Sequence, residues 1–131
     1  MRICEWRGAF SNDEVTALHA EGFERESGQR DWWKQVQEHS LGWVCARDAG
    51  MLIGFVNVAW DGADHAFLLD TLTTAAYRRQ GVGAAVVAVA EDNSRQAGCT
   101  WLHVDFSPQL RPFYLERCGF QETTGGLISL R

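Results

Sequence analysis

The chain has few of the features that mark zinc-binding, secreted or membrane proteins. Its four cysteines form no C-x-x-C pair, and no histidine cluster lies near them at zinc-site spacing, so we expect buried free thiols and no metal. The first residues lack the apolar stretch of a signal peptide. The longest purely apolar run, residues 84–90, is far shorter than the ~20 residues that a membrane helix needs. These absences predict a cytoplasmic protein with no membrane partner.

Basic residues are also in short supply. Twelve lysines and arginines stand against 17 acidic residues, which gives a formal net charge of −5. Proteins that bind nucleic acid or anionic membranes draw most of their affinity from Lys and Arg, so the composition argues against both partners. It is compatible with a cationic substrate such as an amine. The chain has 131 residues and 46% hydrophobic content, enough for one packed domain over residues 1–131 and too few for two.

Hydrophobic periodicity and turn residues predict a mixed α/β domain. In chain order we expect a strand at 1–6, helices at 11–22 and 30–39, strands at 42–47, 51–60 and 65–73, a helix at 81–96, a strand at 100–106, a short helix at 109–118 and one or two strands within 119–130. Trp33 and Val36 are expected on the buried side of the second helix, and Trp32 is a further candidate for that side. The order β-α-α-β-β-β-α-β-α-β(β) predicts a mixed central sheet with helices on both faces and one β-α-β crossover.

The stretch between the predicted strand at 65–73 and the helix at 81–96 carries the most chemical information. It contains Tyr77-Arg78-Arg79-Gln80-Gly81-Val82-Gly83. The two glycines remove side chains where the chain turns, so that successive backbone N–H groups can converge on one anion. The helix start adds partial positive charge, and the two arginines add fork-shaped donors. Together these features predict a binding site for a pyrophosphate.

Known phosphate-binding loops fit this stretch unequally. A P-loop requires G-x-x-x-x-G-K-[ST], which does not occur in the chain. A dinucleotide-binding fold half fits, through Gly81-x-Gly83-x-x-Val86 and an acidic residue downstream at Asp105. Against it, the loop at 74–80 is too long and too basic, and a second β-α-β half is missing. A glycine-rich helix start with a solvated arginine pair is the alternative that needs no ligand.

Two motifs in the chain resemble those of one family. Residues 78–83 match the pattern [R/Q]-x-x-G-x-[G/A], and residues 113–120, Phe-Tyr-Leu-Glu-Arg-Cys-Gly-Phe, are similar to an F-Y-x-x-x-G-F segment. Both resemble motifs of the GNAT superfamily of acyl-CoA-dependent N-acetyltransferases, and the predicted order of strands and helices is similar to that family's along the whole chain. The resemblance implies a GNAT-like fold, acetyl-CoA as the co-substrate and an N-acyltransferase activity.

The resemblance also implies which residues hold acetyl-CoA. In relatives of this kind, backbone N–H groups of the loop bind the CoA pyrophosphate, and the strand before the loop splays from its neighbour and pairs with the pantetheine arm. Leu72 and Thr73 stand at the pairing positions, beside a gap against residues 100–106. Ser107 stands where many relatives have an Asn that touches the arm. The cofactor-binding positions in the loop are Arg78, Arg79, Gln80, Gly81, Val82, Gly83 and Ala84.

The same resemblance implies how the acyl group would be transferred. A neutral amine attacks the thioester carbonyl, backbone donors can hold the oxyanion, and a tyrosine hydroxyl can protonate the leaving sulfur. Tyr114 is the candidate acid. It lies five positions before Gly119, whereas the usual tyrosine lies four before the matching glycine. Either the helix end absorbs an extra residue, or Leu115 occupies the usual place.

A base that deprotonates the amine is less clearly marked. Asp70 lies in an otherwise apolar strand, where an unpaired carboxylate is costly and its pKa is perturbed, so it is the candidate base. The alternatives are Asp61, Asp64 and His65 at a turn, and His103 on the following strand. Some relatives use only a chain of water molecules, so a dedicated base is not required.

The acceptor and the assembly are the least determined features. Trp32, Trp33 and Trp60 are candidates to line an acceptor pocket, although the six tryptophans are equally explained as core and dimer contacts. Residues 127–130 offer an edge for a homodimer. The sequence predicts transfer of an acetyl group to a primary amine of a small molecule, by direct attack in a ternary complex. The alternative is a non-catalytic acyl-CoA-binding or sensing domain of the same fold.

Overall fold

This computed structural model describes residues 1–22 and 30–131. These residues contain five strands, three α-helices and three short helical turns. The strands are β1 (Arg2–Trp6), β2 (Ser40–Asp48), β3 (Met51–Trp60), β4 (His65–Thr73) and β5 (Trp101–Val104). The α-helices are α1 (Asn12–Gly22), α2 (Trp32–His39) and α3 (Val82–Gln96). The short turns are two 3-10 turns, Ala75–Tyr77 and Pro108–Leu110, and a π-helix, Pro112–Arg117.

The strands form one sheet in the order β1-β2-β3-β4-β5. Neighbouring strands are antiparallel from β1 to β4, and β4 and β5 are parallel. Short turns join β2, β3 and β4, whereas a parallel pair needs a longer crossover. The helix α3 supplies that crossover between β4 and β5. The predicted mixed sheet with one β-α-β unit is confirmed.

Helices cover the two faces of the sheet and enclose two separate cores. On one face, α3 buries Val86, Val87 and Ala90 against the strands. On the other face, α1 and α2 bury their apolar side chains against residues such as Phe55 and Leu72. Each fully buried Val, Leu or Phe side chain stabilises the fold by roughly 1.5–3 kcal/mol. None of the helices in residues 1–22 and 30–131 combines the length and the apolar character that spanning a membrane requires.

The buried side of α2 differs in one residue from the prediction. Trp32, the further candidate, is 1% exposed, whereas Trp33, which was expected on the buried side, is 38% exposed. Trp32 and Val36 lie one helical turn apart and therefore share a face, and it is this face that contacts the sheet.

The start of α1 is fixed by a reciprocal capping arrangement. The Ser11 hydroxyl accepts a hydrogen bond from the Glu14 N–H at 3.2 Å, and the Glu14 carboxylate accepts one from the Ser11 N–H at 2.9 Å. Arg47 on β2 donates two further hydrogen bonds to the same carboxylate, at 2.7 and 2.9 Å. The hydrogen bonds from Arg47 are the main reason that the pKa of Glu14 is lowered to about 2.

We expect Glu14→Gln to destabilise the fold at neutral pH. The folded pKa of Glu14 lies below its unfolded value, so its contribution to the free energy of unfolding is complete above about pH 5 and is lost as the pH falls toward 2. Partial exposure of the pair limits this contribution to about 1–2 kcal/mol. Urea denaturation at about pH 7 and about pH 3 measures it. The control Glu91→Gln breaks an exposed pair with Arg95 and should leave the free energy of unfolding nearly unchanged, because solvent screens such a pair.

The C-terminal part of the chain departs from the prediction. Residues 118–131, all of which the structure describes, form no strand, and the short helix expected at 109–118 is a 3-10 turn followed by the π-helix. Gly125-Gly126 interrupts the segment and contributes no side chains to a sheet. The apolar side chains near the end are 83–96% exposed, so no core contact stabilises a strand there: Leu127, Ile128 and Leu130.

Candidate active site

A gap opens between β4 and β5 before β4 ends. The last paired residues are Leu68 and Val104, and β4 continues beyond them to Thr73. On its other side β4 carries a bulge, because Asp70 and Thr71 together oppose a single residue of β3. Asp70 has a left-handed φ of +55°. A bulge adds one residue to a strand and bends it, so β4 turns away from β5 at this point.

The gap leads into a cavity of about 180 Å³. Three residues that the sequence predicted for the site, Asp70, Ser107 and Tyr114, contribute to its wall. The other wall residues were not predicted and come from both strands and from the loop after β5: Leu68, Thr71, Val104, Asp105, Phe106 and Leu110. The cavity therefore combines carboxylates and hydroxyl groups with apolar surface.

Tyr114 reaches this cavity because the segment that carries it is a π-helix. The Phe113 carbonyl accepts a hydrogen bond from the Cys118 N–H at 2.9 Å, and the Tyr114 carbonyl accepts one from the Phe120 N–H at 3.0 Å. These turns are wider than an α-helical turn and accommodate one extra residue. The first of the two alternatives for the spacing to the following glycine is therefore the one observed, and Leu115 is not part of the cavity wall.

The environment of Tyr114 keeps its hydroxyl protonated. The residue is 5% exposed, and its ring stacks on Phe106 with the centroids 5.0 Å apart. Burial raises the pKa of Tyr114, and a hydrogen bond with Thr71 opposes this effect. The phenol therefore carries its proton at neutral pH and can donate it within the cavity.

Asp70 contributes an ionisable carboxyl group to the cavity wall. Burial raises the pKa of this carboxyl group, and the charges of Arg30 and His19 act in the opposite direction. A carboxylate with a raised pKa is a stronger base near neutral pH. The structure thus places a perturbed carboxyl group and a protonated phenol in the wall of one cavity.

The loop between β4 and α3 arranges its backbone as an anion site. Arg79 and Gly81 have left-handed φ values of +62° and +84°, and the Ala85 N–H donates to the Gly81 carbonyl at 3.0 Å. Alternating backbone conformations turn successive N–H groups toward one side, and the helix start adds positive partial charge. The loop therefore fits a phosphate or pyrophosphate group.

Several side chains near this loop hold its shape. The guanidinium of Arg2 donates to the Gln80 carbonyl at 3.0 Å, and the Tyr77 hydroxyl donates to Asp48 at 2.8 Å. Arg78 donates to a carbonyl at the end of α1, at 3.3 Å. The side chain of Gln80 also donates to a carbonyl of its own turn, at 3.1 Å. We therefore expect Arg78 and Gln80 to support a ligand through the loop backbone.

Arg117 is a cation that the sequence analysis missed. A Cβ atom built on Gly81 would lie 3.2 Å from Nη2 of Arg117, so this guanidinium is beside the loop. Arg117 belongs to the motif at 113–120, which was interpreted only for its tyrosine. A guanidinium binds phosphate oxygens well, so Arg117 and the exposed Arg79 are the two arginines most available to an anion.

The backbone of β4 indicates which residue faces the gap. The Thr74 N–H donates to the Ile53 carbonyl on β3 at 2.9 Å, and backbone groups of successive residues point to opposite sides of a strand. The N–H and carbonyl of Thr73 therefore point away from β3 and into the gap. The Leu72 carbonyl lies toward Gly54 on β3. Of the two predicted pairing positions, Thr73 is thus the one whose backbone is free to pair.

The other candidate bases lie at the opposite end of β4. His65 precedes Asp70 by five residues, which is ~17 Å along an extended strand. The Asp61 carboxylate accepts hydrogen bonds from two N–H groups of its own turn, at 2.8 and 3.1 Å. His65 Nδ1 and His103 Nε2 lie 2.8 Å apart. Neither these residues nor Asp64 belong to the cavity wall.

The three tryptophans predicted for an acceptor pocket also lie outside the cavity wall. The Trp32 indole N–H donates to the Thr16 hydroxyl at 3.1 Å inside the core. Trp33 contacts Phe10 edge-on, with the ring centroids 5.0 Å apart. Trp60 packs against the core under α3. The core interpretation therefore fits Trp32 and Trp60, whereas Trp33 is exposed and contacts Phe10 beside the second core.

Comparison with solved structures finds the same fold in several acetyltransferases. A protein described as a probable acetyltransferase from methicillin-resistant Staphylococcus aureus superposes with a TM-score of 0.83 at 17% identity, over 100% of both chains. Glucosamine-6-phosphate N-acetyltransferase from Arabidopsis thaliana gives a TM-score of 0.74 at 14% identity, over 97% of each chain. An aminoglycoside N-acetyltransferase, solved with the bisubstrate analogue CoA-S-monomethyl-acetylneamine, gives 0.71 at 18% identity, over 100% of this chain and 98% of that one.

Sequence comparison identifies the family directly. No curated protein sequence matches the chain. Residues 4–120 match the sequence profile of the Acetyltransferase (GNAT) family. The matched range includes the loop at 78–83 and the motif at 113–120. Because this match covers most of the 131 residues, the chain belongs to the Acetyltransferase (GNAT) family.

Proposed function

We propose that the protein is an acyl-CoA-dependent N-acyltransferase that moves an acetyl group from acetyl-CoA to a primary amine of a small molecule, by direct attack in a ternary complex. The observation that carries this proposal is the cavity between β4 and β5, whose wall contains both Asp70 and Tyr114. The relative solved with a CoA-based bisubstrate analogue supports the same combination of substrates.

The residues that would hold acetyl-CoA extend from the loop into the gap. Acetyl-CoA supplies an activated thioester, and the chain supplies its orientation. The N–H groups of residues 79–84 suit the pyrophosphate, with Arg79 and Arg117 as side-chain donors. The backbone of Thr73 faces the gap and can pair with the pantetheine arm. The Ser107 hydroxyl, in the cavity wall, can donate to the same arm.

Asp70 and Tyr114 divide the proton transfers between them. The amine must lose a proton to attack, and the raised pKa of Asp70 makes this carboxylate a suitable acceptor. The sulfur that leaves must gain a proton, and Tyr114 is protonated at neutral pH because burial raises its pKa. Asp70 takes up one proton and Tyr114 releases one. Transfer of one proton from Asp70 to Tyr114 through solvent therefore restores the starting state of both groups.

We expect Gly83→Asp to raise the KM for acetyl-CoA by about tenfold relative to Gly83→Asn, because a carboxylate at a helix start repels an anion. A Cβ atom at this position would lie 3.1 Å from Phe113 Cζ and 3.6 Å from Thr73 Oγ1. Any substitution therefore also disturbs a close contact, and the Asn variant measures that steric part. Equal KM values for the Asp and Asn variants would contradict a pyrophosphate site at this loop.

Thermal denaturation tests the ligand class separately from catalysis. A ligand at ~100 times its dissociation constant stabilises the folded state by ~2.7 kcal/mol. Acetyl-CoA should therefore raise the melting temperature by several degrees, and NAD should leave it unchanged. Stabilisation by NAD without stabilisation by acetyl-CoA would support a dinucleotide site and would exclude the proposed activity.

Release of free CoA thiol with a panel of amines tests the reaction itself. Amine-dependent release is expected, with the acetylated amine formed in equal amount. The competing possibility is a non-catalytic acyl-CoA-binding or sensing domain of the same fold. Stabilisation by acetyl-CoA without amine-dependent release on a broad panel would favour that domain over the enzyme.

A further inference from the structure

Helices cover one face of the sheet only in part. α1 and α2 cover β2, β3 and the end of β4, where Leu72 is 3% exposed. Earlier on β4, Phe67 and Leu69 are 40% and 44% exposed, although Ala66 and Leu68, which face α3, are buried. Side chains alternate between the two faces of a strand. Within residues 1–22 and 30–131, Phe67 and Leu69 therefore form a partly exposed apolar strip on the face that α1 and α2 occupy elsewhere.

The strip continues sideways onto β5. Phe67 and His103 are partners in the parallel register, and their rings stack with centroids 4.6 Å apart and an interplanar angle of 14°. His65 Nδ1 lies 2.8 Å from His103 Nε2, which holds the imidazole beside the phenyl ring. Two flat rings next to the Leu69 side chain provide a platform on which another flat or apolar group can lie. Ligand sites are lined mainly by apolar and aromatic side chains around a few polar groups, and this surface beside the cavity has that composition.

The strip ends at the carboxyl group of the candidate active site. Asp70 follows Leu69 directly in the chain and lies in the cavity wall with Tyr114. The nearby charges that act on Asp70 belong to His19 on α1 and Arg30 before α2, the two helices that cover this face of the sheet, so Asp70 lies close to the end of the strip. From Asp70 back to Phe67 the distance along the strand is ~10 Å. A negative group thus stands at one end of an apolar surface of that length.

We propose that the acceptor is a primary amine with an apolar aryl or alkyl body, whose amino group lies at Asp70 and whose body lies over Leu69 and Phe67. This inference rests on the proposed acyltransferase function. Charge complementarity positions the amino group, and continuity of the strip with the cavity positions the body. A polyhydroxylated amine would place its hydroxyl groups against apolar side chains, where they lose hydrogen bonds to water.

Steady-state kinetics with acetyl-CoA and two amines tests the acceptor class. The kcat/KM for 2-phenylethylamine should exceed that for ethanolamine by at least about tenfold, because only the former removes apolar area from water. Leu69→Asn and Phe67→Ser should lower kcat/KM for 2-phenylethylamine more than for ethanolamine. The matched control is Ile3→Asn, which changes a 49% exposed apolar side chain on the edge strand β1 and should alter neither value.

The outcomes separate this inference from the function on which it rests. Turnover with equal or higher kcat/KM for ethanolamine overturns the apolar acceptor and leaves the acyltransferase intact. An absence of thiol release with every amine overturns both. Analytical ultracentrifugation without acetyl-CoA measures the oligomeric state of the wild type and of Leu69→Asn. If the wild type is a dimer and Leu69→Asn is a monomer, the strip is an interface between two copies and the inference fails.

Discussion

Replacing Tyr114 by phenylalanine is expected to lower kcat for amine acetylation by about 10²–10⁴-fold, the usual contribution of a positioned general acid. The substitution keeps the ring that stacks on Phe106 and removes only the hydroxyl group of this cavity-wall residue. Without that proton donor, the leaving sulfur must depart as a thiolate. The KM for acetyl-CoA should stay within about threefold of the wild-type value, because the loop and the gap are unchanged. Initial rates of CoA thiol release at saturating acetyl-CoA provide the measurement.

The control for this experiment is the second of the two tyrosines in the chain. Tyr77→Phe removes a hydrogen bond to Asp48 outside the cavity, and kcat should change by less than about threefold. If Tyr114→Phe retains the wild-type kcat, Tyr114 has no part in proton transfer. If both variants lose activity to the same extent, the hydroxyl groups act through the shape of the protein.

The loop at 78–83 could be predicted from sequence because its properties are local. Glycine at the start of a helix needs no distant partner to remove a side chain, and helix starts attract anions wherever they occur. The interactions that fix the shape of the loop could not be predicted from the loop sequence, because they come from distant residues. Arg2 and Asp48, which hold the loop, are separated from it by at least 29 positions in the chain, and Arg117 meets Gly81 only in the folded protein.

The cavity was predictable only in part because it depends on how strands pair. Asp70 stands out as a carboxylate within an apolar strand. Its exact orientation follows from a bulge against β3 and a loss of pairing with β5, and neither is encoded in β4 alone. The position of Tyr114 could not be predicted for a similar reason. An extra residue in a helix can rotate the following side chains, or a π-turn can accommodate it. At residues 127–130 the sequence predicts a strand that the structure lacks. A strand-like pattern does not form a strand without a pairing partner.

Replacing Asp70 by asparagine should lower kcat/KM for the amine by about 10²-fold near neutral pH, because the amide cannot accept a proton. The deficit should become smaller as the pH rises, since more of the amine is then already deprotonated in solution. A matched control is Asp105→Asn, which changes an exposed carboxylate in the same cavity wall and should cost less than about tenfold. A deficit that is independent of pH would assign Asp70 to binding of the amine instead of proton transfer.

The same Asp70→Asn substitution should stabilise the fold at neutral pH, which a purely structural role for the carboxylate does not predict. Burial raises the pKa of Asp70 in the folded state, so ionisation of this group opposes folding. Below the unfolded pKa of about 3.9 the carboxyl group is neutral in both states and this penalty is absent. As the pH rises through the folded pKa, the wild type loses stability that the uncharged asparagine retains. Urea denaturation should therefore show a larger advantage of the variant at about pH 7 than at about pH 4. An equal difference at both pH values would mean that the carboxylate is not destabilised by its position, and the argument for Asp70 as a base of raised pKa would fail with it.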